Sequence, residues 1–432
     1  MQNFLLNFIK DLKRPVPSIS IALFRISFAA ILLIQTFYFI IGDFITKNII
    51  NPVVLFPFIE GLNPFSRAYL ISLSYIMLIS NIGMLLNKFA RFSTIIFFCC
   101  FTYFWILEKG YFNNHYYFIS LICFIIFLVE KEASFYRNLH TPKISIFALQ
   151  IMIFLVYFIA GLNKLNPYWL FEFQPIRHIL EVKAEITNNT FFKKDILIIA
   201  ISYLGVIFDL TIGFLLFFKR TKLFAFSAIV LFHLTNYWLF KDVGEIGVFP
   251  FLMISTTIIF IDPTYLNKLF NLNEKPIIQK NHPLFLNKFL VFFLIIQILL
   301  PFRHVLFHGH VDYNGIGQRF SWRMKIMYKE SEINYFITNI MTREKYNVSI
   351  NTMLTNRQYN NLKYFPDLIV PLAKKIQLEA MENFGLKHVK ITCEYQIRFM
   401  GKNQQLLFPK TLDLTKIKKP AMTNKWLLPL KK

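Results

Sequence analysis

Nine apolar runs, separated by short polar segments, take up most of the first 302 residues. They lie near 19–42, 68–87, 92–107, 115–129, 144–161, 195–218, 223–240, 246–262 and 284–302. A bilayer core of about 30 Å is crossed by about 20 apolar residues in a helix, so the runs predict nine spanning helices. The pattern changes after the last run. Residues 319–328, RFSWRMKIMY, alternate large and polar side chains and predict a strand, with partners over 334–341 and 346–350. Over 367–384, Leu368, Leu372, Ile376 and Leu378 fall at helical spacing, and Gly385 closes the helix as a C-cap. Residues 389–399 alternate again before a turn at Gly401. The predicted fold is therefore mainly α: a polytopic helical membrane bundle over 1–302 and a small extramembrane α+β domain over 303–432. No internal repeat is present, and the polar stretch 271–287 is the nearest thing to an interior linker.

Composition agrees with this class. Of 432 residues, 55% are hydrophobic and 52 are phenylalanine, and the mean hydropathy is +0.47. The segment before the first run lacks the short apolar core and small residues of a cleavable signal, so that run is expected to stay as an anchor. Basic loops set the orientation. With the N-terminus inside, the inner segments hold 15 lysines and arginines, among them Lys88, Lys131, Lys219, Arg220, Lys222, Lys275 and Lys280, against 9 in the short outer loops. Nine spans then put Lys164, the loop before His115 and residues 303–432 on the outer side. That side is the periplasm for a bacterial inner membrane, or the lumen for a eukaryote.

The formal charge is +23, and 303–432 alone carries 22 Lys and Arg against 9 Asp and Glu. Such a surface is a solvated basic face, an attraction to anionic lipid, or a guide for an acidic substrate. It follows no nucleic-acid motif, so nucleic acid is excluded as a partner. Cys99, Cys100 and Cys123 lie in predicted spans and Cys393 is alone in the outer domain. With no CxxC and no His-rich spacing, no metal site is expected.

One stretch stands out, 157–169, YFIAGLNKLNPYW, where an apolar run ends and delivers a single lysine, Lys164. By spacing alone Lys164 reads as a lysine snorkelling to the headgroups. An amine at a membrane edge is also more readily neutral than one in water, which is what a base requires. This stretch resembles the lysine-bearing motif of vitamin K-dependent gamma-glutamyl carboxylases and their bacterial relatives with the HTTM-type membrane domain. The resemblance runs through the chain in order. SISIALFRISF over 18–28, with Arg25, is similar to the opening span of that family, and Asn113-Asn114-His115 matches its Asn-Asn-His element. FDLTIGFLLFF over 208–218, with Asp209, and FHLTN over 232–236, with His233 and Asn236, resemble later spans. FSWRM over 320–324 looks like the start of the outer domain, and 403–408, 411–414 and 426–429 resemble the end of the bacterial form.

The resemblance implies an enzyme that couples oxygenation of a reduced vitamin K, a naphthohydroquinone such as menaquinol, to carboxylation of glutamate in a protein or peptide. O2 and CO2 are its co-substrates. No side chain is basic enough to remove the carbon-bound proton, so quinol oxidation supplies that base. In this scheme Lys164 is the amine that starts the reaction, and His115 with Asn114 stabilises charge on glutamate. Arg319, Trp322, Arg323, Arg398, Gln404 and Gln405 are the implied substrate-binding residues. Arg25, Asp209, His233 and Asn236 are ionisable or polar groups within spans, which read equally as packing contacts or as functional groups.

Departures from the family pattern are local. Four residues, Lys241 to Gly244, are extra; Leu406 stands where the family has arginine, and Pro409-Lys410 where it has aspartate-proline. These changes leave room for a non-catalytic quinone-binding protein or transporter of the same fold. A lipid-linked sugar transferase is a third class, but its paired acidic residues are missing from 42–67, which offers only Asp43 and Glu60.

Overall fold

The computed structural model describes residues 2–86, 89–129, 137–243, 246–272, 276–278, 284–420, 422–423 and 425–431. Lys88, Lys131, Lys275 and Lys280 of the basic-loop count, and part of the polar stretch 271–287, lie outside the described residues.

An amphipathic helix, α1 (Gln2–Leu12), and a short strand, β1 (Pro15–Pro17), precede the bundle. Then come α2 (Ile19–Ile41), α3 (Arg67–Leu85), α4 (Ala90–Ile106) and α5 (Asn114–Val129). After β2 (Leu139–Pro142) follow α6 (Lys143–Lys164), the single turn α7 (Pro167–Leu170) and α8 (Ile176–Thr187). The helical part ends with α9 (Asp195–Phe217), α10 (Lys222–Phe240), α11 (Phe249–Thr256), α12 (Pro263–Leu269), the two-residue β3 (Ile277–Ile278) and α13 (Leu284–Leu299).

Every apolar run becomes helical, but nine full spans are not what forms. Among the described residues six helices are long and apolar enough to cross a membrane, or seven if the bent pair over Phe249–Phe260 and Pro263–Leu269 counts as one. That pair turns through 88°. The runs near 92–107 and 115–129 give helices of 17 and 16 residues, short of the usual spanning length. The shorter α5 is deeply enclosed: Phe118, Ile122, Cys123, Ile125 and Ile126 have no exposed surface. An apolar run can be a core helix as well as a lipid-facing one, and hydropathy alone does not separate the two.

The two ends of the bundle differ. At one end β1 pairs antiparallel with β2, Pro15 opposite Pro142, and β2 pairs parallel with β3, Leu139 opposite Ile277. Three segments assigned to the inner side by charge thus meet in one small sheet. The opposite end carries the C-terminal unit. After the single turn α14 (Val311–Asn314), its four-stranded antiparallel sheet has the order β5-β4-β6-β7, with β4 Lys329–Asn339, β5 Lys345–Val348, β6 Val389–Phe399 and β7 Gln405–Leu406. The short helix α15 (Asn356–Leu362) and the longer α16 (Ile369–Phe384) complete it. Ile369, Leu372, Ala373 and Ile376 of α16 join Tyr335, Ile391, Cys393 and Tyr395 of the sheet in one core. Gly385 caps α16 in the left-handed region at φ +65°.

The strand expected over 319–328 does not form. Phe320, Trp322 and Lys325 all adopt left-handed backbone, with φ of 61°, 55° and 51°, and the sheet begins only at Lys329. The reason is a better partner than a neighbouring strand. Asn163 and Asn114 donate side-chain hydrogen bonds to the carbonyls of Ser321 (2.8 Å) and Arg323 (3.1 Å). Phe320 packs 4.8 Å from the Phe112 ring and Trp322 5.3 Å from Tyr117. Alternating large residues here are rings dropped into the helical bundle on successive tight turns.

A second clamp holds the unit to the bundle. Glu108, fully buried after α4, accepts hydrogen bonds from Phe56 N (3.0 Å), Gly110 N (2.7 Å) and Gln358 Nε2 (2.9 Å). Burial pushes the Glu108 carboxyl above its ordinary range against those donors. Gln358 is held in place by a capping box with Thr355 at the start of α15.

Candidate functional site

Close packing of α6 against α9 builds the site. A Cβ on Gly161 would sit 2.9 Å from the Leu210 backbone nitrogen, and one on Gly213 would sit 2.6 Å from the Phe154 ring. Glycine at both positions lets the helices approach as small-residue contacts do in membranes. One turn further on, at the last residue of α6, Lys164 reaches across to α9. Its Nζ lies 2.5 Å from Asp209 Oδ2, with side-chain exposures of 10% and 7%. The Trp169 ring, on α7, lies 5.0 Å from the same nitrogen. Asn166 caps α7 by accepting from Trp169 N at 3.1 Å, and Trp169 Nε1 donates to Ser202 O at 3.0 Å, so the ring is fixed at both ends.

A cavity of about 420 Å³ opens beside this pair. Its lining includes His115, Tyr157, Lys164, Asp209, His233 and Asn236. Tyr157 Oη is 2.8 Å from His233 Nε2, and the His115 ring stacks on Phe249 at 3.8 Å. Thr235 and Lys325 also line it, the rest of the wall is apolar, and two of its members, Leu204 on α9 and Leu231 on α10, are 64% and 69% exposed. The mouth thus lies between two membrane helices. The volume is within the span of about 300–1,000 Å³ usual for small-molecule pockets, which are mostly apolar with a few convergent polar groups.

The predicted residues therefore separate into two sets. Lys164, His115, Asp209, His233 and Asn236 meet in this cavity, although 164, 115 and 209 come from three different helices. Asn114 does not line it; its amide holds the Arg323 carbonyl. Arg25 is fully buried in α2 and is also outside the lining. None of the six implied substrate-binding residues lines it either. Arg319 donates to both oxygens of Asp367 at 2.9 and 2.8 Å, and Arg323 makes a two-point contact with Asp312 at 2.7 and 2.9 Å. Trp322 is buried among rings. Arg398 is an exposed partner of Glu330 at 3.3 Å, Gln404 bonds Gln396 at 2.7 Å, and Gln405 bonds Tyr313 and accepts from Lys431 N at 2.9 Å. Leu406 pairs with Gln396 in β7. Sequence reasoning missed Tyr157, Trp169, Phe249 and Lys325. The first two flank Lys164 in the same motif and were readable from it; Phe249 and Lys325 enter only through folding.

Among the described residues no group of three or more His, Cys, Asp or Glu is placed to hold a metal ion. A helical bundle with a membrane-facing cavity, joined to an α+β unit at one end, defines an integral membrane protein. The family model for the HTTM domain matches residues 13–265, and that for the lumenal domain of vitamin K-dependent gamma-carboxylase matches residues 282–432. The chain belongs to the vitamin K-dependent gamma-carboxylase-like family. No solved structure matches it.

Proposed function

We propose that this protein is a glutamyl carboxylase driven by oxygenation of a naphthohydroquinone. In this reading 1–302 is the membrane domain, 303–432 lies in the periplasm, and the membrane is a bacterial inner membrane. The observation that carries the reading is the convergence of Lys164, Asp209 and His115 on one cavity whose mouth faces lipid. A lipid-soluble aromatic ring suits that apolar wall, and a ring hydroxyl suits its polar end. Bound there, the quinol supplies through its oxygenation a base strong enough to take a glutamate γ-hydrogen.

Lys164 is then the amine that takes the proton of a hydroxyl placed against its Nζ, and Asp209, 2.5 Å away, is the counter-ion of the ammonium so formed. Trp169 and the Asn166 cap keep that nitrogen pointed at the cavity. His115 stabilises negative charge on the glutamyl side chain. His233 and Tyr157 order the opposite wall through their mutual hydrogen bond. Excluding water from this volume strengthens each of these interactions.

The same ion pair favours a second reading. An ammonium fully neutralised by Asp209 at 2.5 Å is also what a non-catalytic quinone-binding protein of this fold would keep. The deciding experiment is quinol epoxidation and peptide carboxylation by the purified protein with and without Lys164→Ala. Loss of both activities in the variant supports the enzyme, and absence of both in the parent supports the binding protein.

A further inference from the structure

Two of the side chains that meet in the cavity stand at helix ends. Lys164 is the last residue of α6 and His115 the second of α5. Helix ends fray, because their outermost N–H and C=O groups have no partner within the helix. The neighbours of these two residues are tied to one short segment. Asn163 donates to Ser321 O at 2.8 Å and accepts from Arg323 Nη1 at 2.7 Å. Asn114 donates to Arg323 O at 3.1 Å. Three consecutive residues, 321–323, thus hold the end of α6 and the start of α5 at once.

That segment is itself braced. The Arg323 fork is fixed by Asp312 at 2.7 and 2.9 Å, with side-chain exposures of 7% and 1%. Trp322, with no exposed surface, packs 5.3 Å from the Tyr117 ring and 6.4 Å from Phe118, one turn along α5 from His115. Phe320, Trp322 and Lys325 all have left-handed backbone. Residues other than glycine adopt that conformation at a cost and keep it only where their surroundings enforce it, a condition that clusters at functional sites.

We infer that 321–323 is a positioning clamp, which sets Lys164 and His115 in one register so that the base made at the quinol arises where the glutamyl charge is stabilised. This rests on the proposed function for the two chemical roles. Arg323, Asn163 and Asn114 are then positioning residues, each acting through the helix end it holds. Arg323 and Trp322 leave the set of substrate contacts, and Asn114 steadies the helix that carries His115.

Hydrogen–deuterium exchange of the full chain in lipid nanodiscs reads the clamp directly. Asn163→Ala removes one neutral and one charge-assisted hydrogen bond and should speed exchange of the amides over 162–166 by about 10–100-fold. Alanine is the better helix former, so helix propensity alone gives the opposite sign. Arg323→Lys keeps a cation for Asp312 but lacks the planar fork that also reaches Asn163, and should act likewise. Asn114→Ala should speed exchange over 114–118 instead. The strand over 389–399 should keep the parental rate in all three. Should Arg323→Lys fail to fold, the two alanine variants, at half-buried positions, carry the test. In an active parent each variant should raise the epoxide formed per carboxylated glutamate by about tenfold or more, since small misplacements cost about 10²-fold in rate. Loss of fold alone lowers both products together. Parental exchange at both helix ends overturns the inference, as does acceleration that extends equally to 389–399, or an unchanged product ratio. A parent that makes neither product, while its variants loosen only those helix ends, keeps the clamp and loses the function. One that makes both, with variants indistinguishable from it, keeps the function and loses the clamp.

Discussion

Asp209→Asn isolates the Lys164 charge in a place where its side chain is only 10% exposed. Breaking a buried pair from one side costs about 3–5 kcal/mol, because the remaining charge has neither water nor a partner. Lys164→Met costs a similar amount by stranding the carboxylate. Replacing both, with Lys164→Met and Asp209→Leu, removes both charges at similar volume and should cost no more than about 2 kcal/mol. Two single losses of about 3 kcal/mol against a double loss of about 2 give a coupling of about 4 kcal/mol or more. Titration of the purified protein with SDS, followed by tryptophan fluorescence, measures all four states. Trp169, with its ring 5.0 Å from Lys164 Nζ, reports locally. The kinetic arm is quinol epoxidation, which Lys164→Ala should abolish while leaving the protein folded. An Asp209→Asn variant within about 0.5 kcal/mol of the parent would refute the buried pair, surface changes being of that size. A Lys164→Ala variant that epoxidises quinol at the parental rate removes Lys164 from the role of base.

Three further outcomes can be checked. His115→Ala should lower carboxylation by about 10²–10³-fold, more than it lowers epoxidation, and equal losses would place His115 at the quinol or in the packing. Lys329 starts β4 fully enclosed, donating to Tyr364 O at 3.0 Å, and burial pushes its amine down to about 7 against the pull of Asp312. The unfolded chain then binds one more proton than the folded one between pH 7 and about 10.4, so stability rises with pH through that window. Between pH 7.5 and 9 the parent should gain about 2 kcal/mol relative to Lys329→Met, and parallel pH profiles would contradict the buried amine. For topology, single cysteines at Ser349 and Asn189, in a background without the four native cysteines, should react with an impermeant maleimide in spheroplasts. One at Thr221 should react only after lysis, and protection of Ser349 with labelling of Thr221 would invert the orientation.

The apolar runs by themselves determined that this is a helical membrane protein, because an unbroken apolar stretch has few other places to go. They also located Lys164, since a lysine closing such a stretch is visible without a fold, and the alternation over 389–399 is matched residue for residue by β6. Hydropathy could not separate lipid-facing helices from an enclosed one such as α5, because both are apolar all round. Nor could a period-2 pattern over 319–328 reveal that Asn114 and Asn163 capture its carbonyls, a contact across about 160 and 210 residues of chain. The ion pair of Lys164 with Asp209 depends on glycines that let α6 and α9 touch, and a glycine in a run says nothing about which helix it will meet. The meeting of His115 with Lys164 in one cavity likewise belongs to tertiary structure alone: a cavity is the space left between elements, and only their packing decides where that space lies.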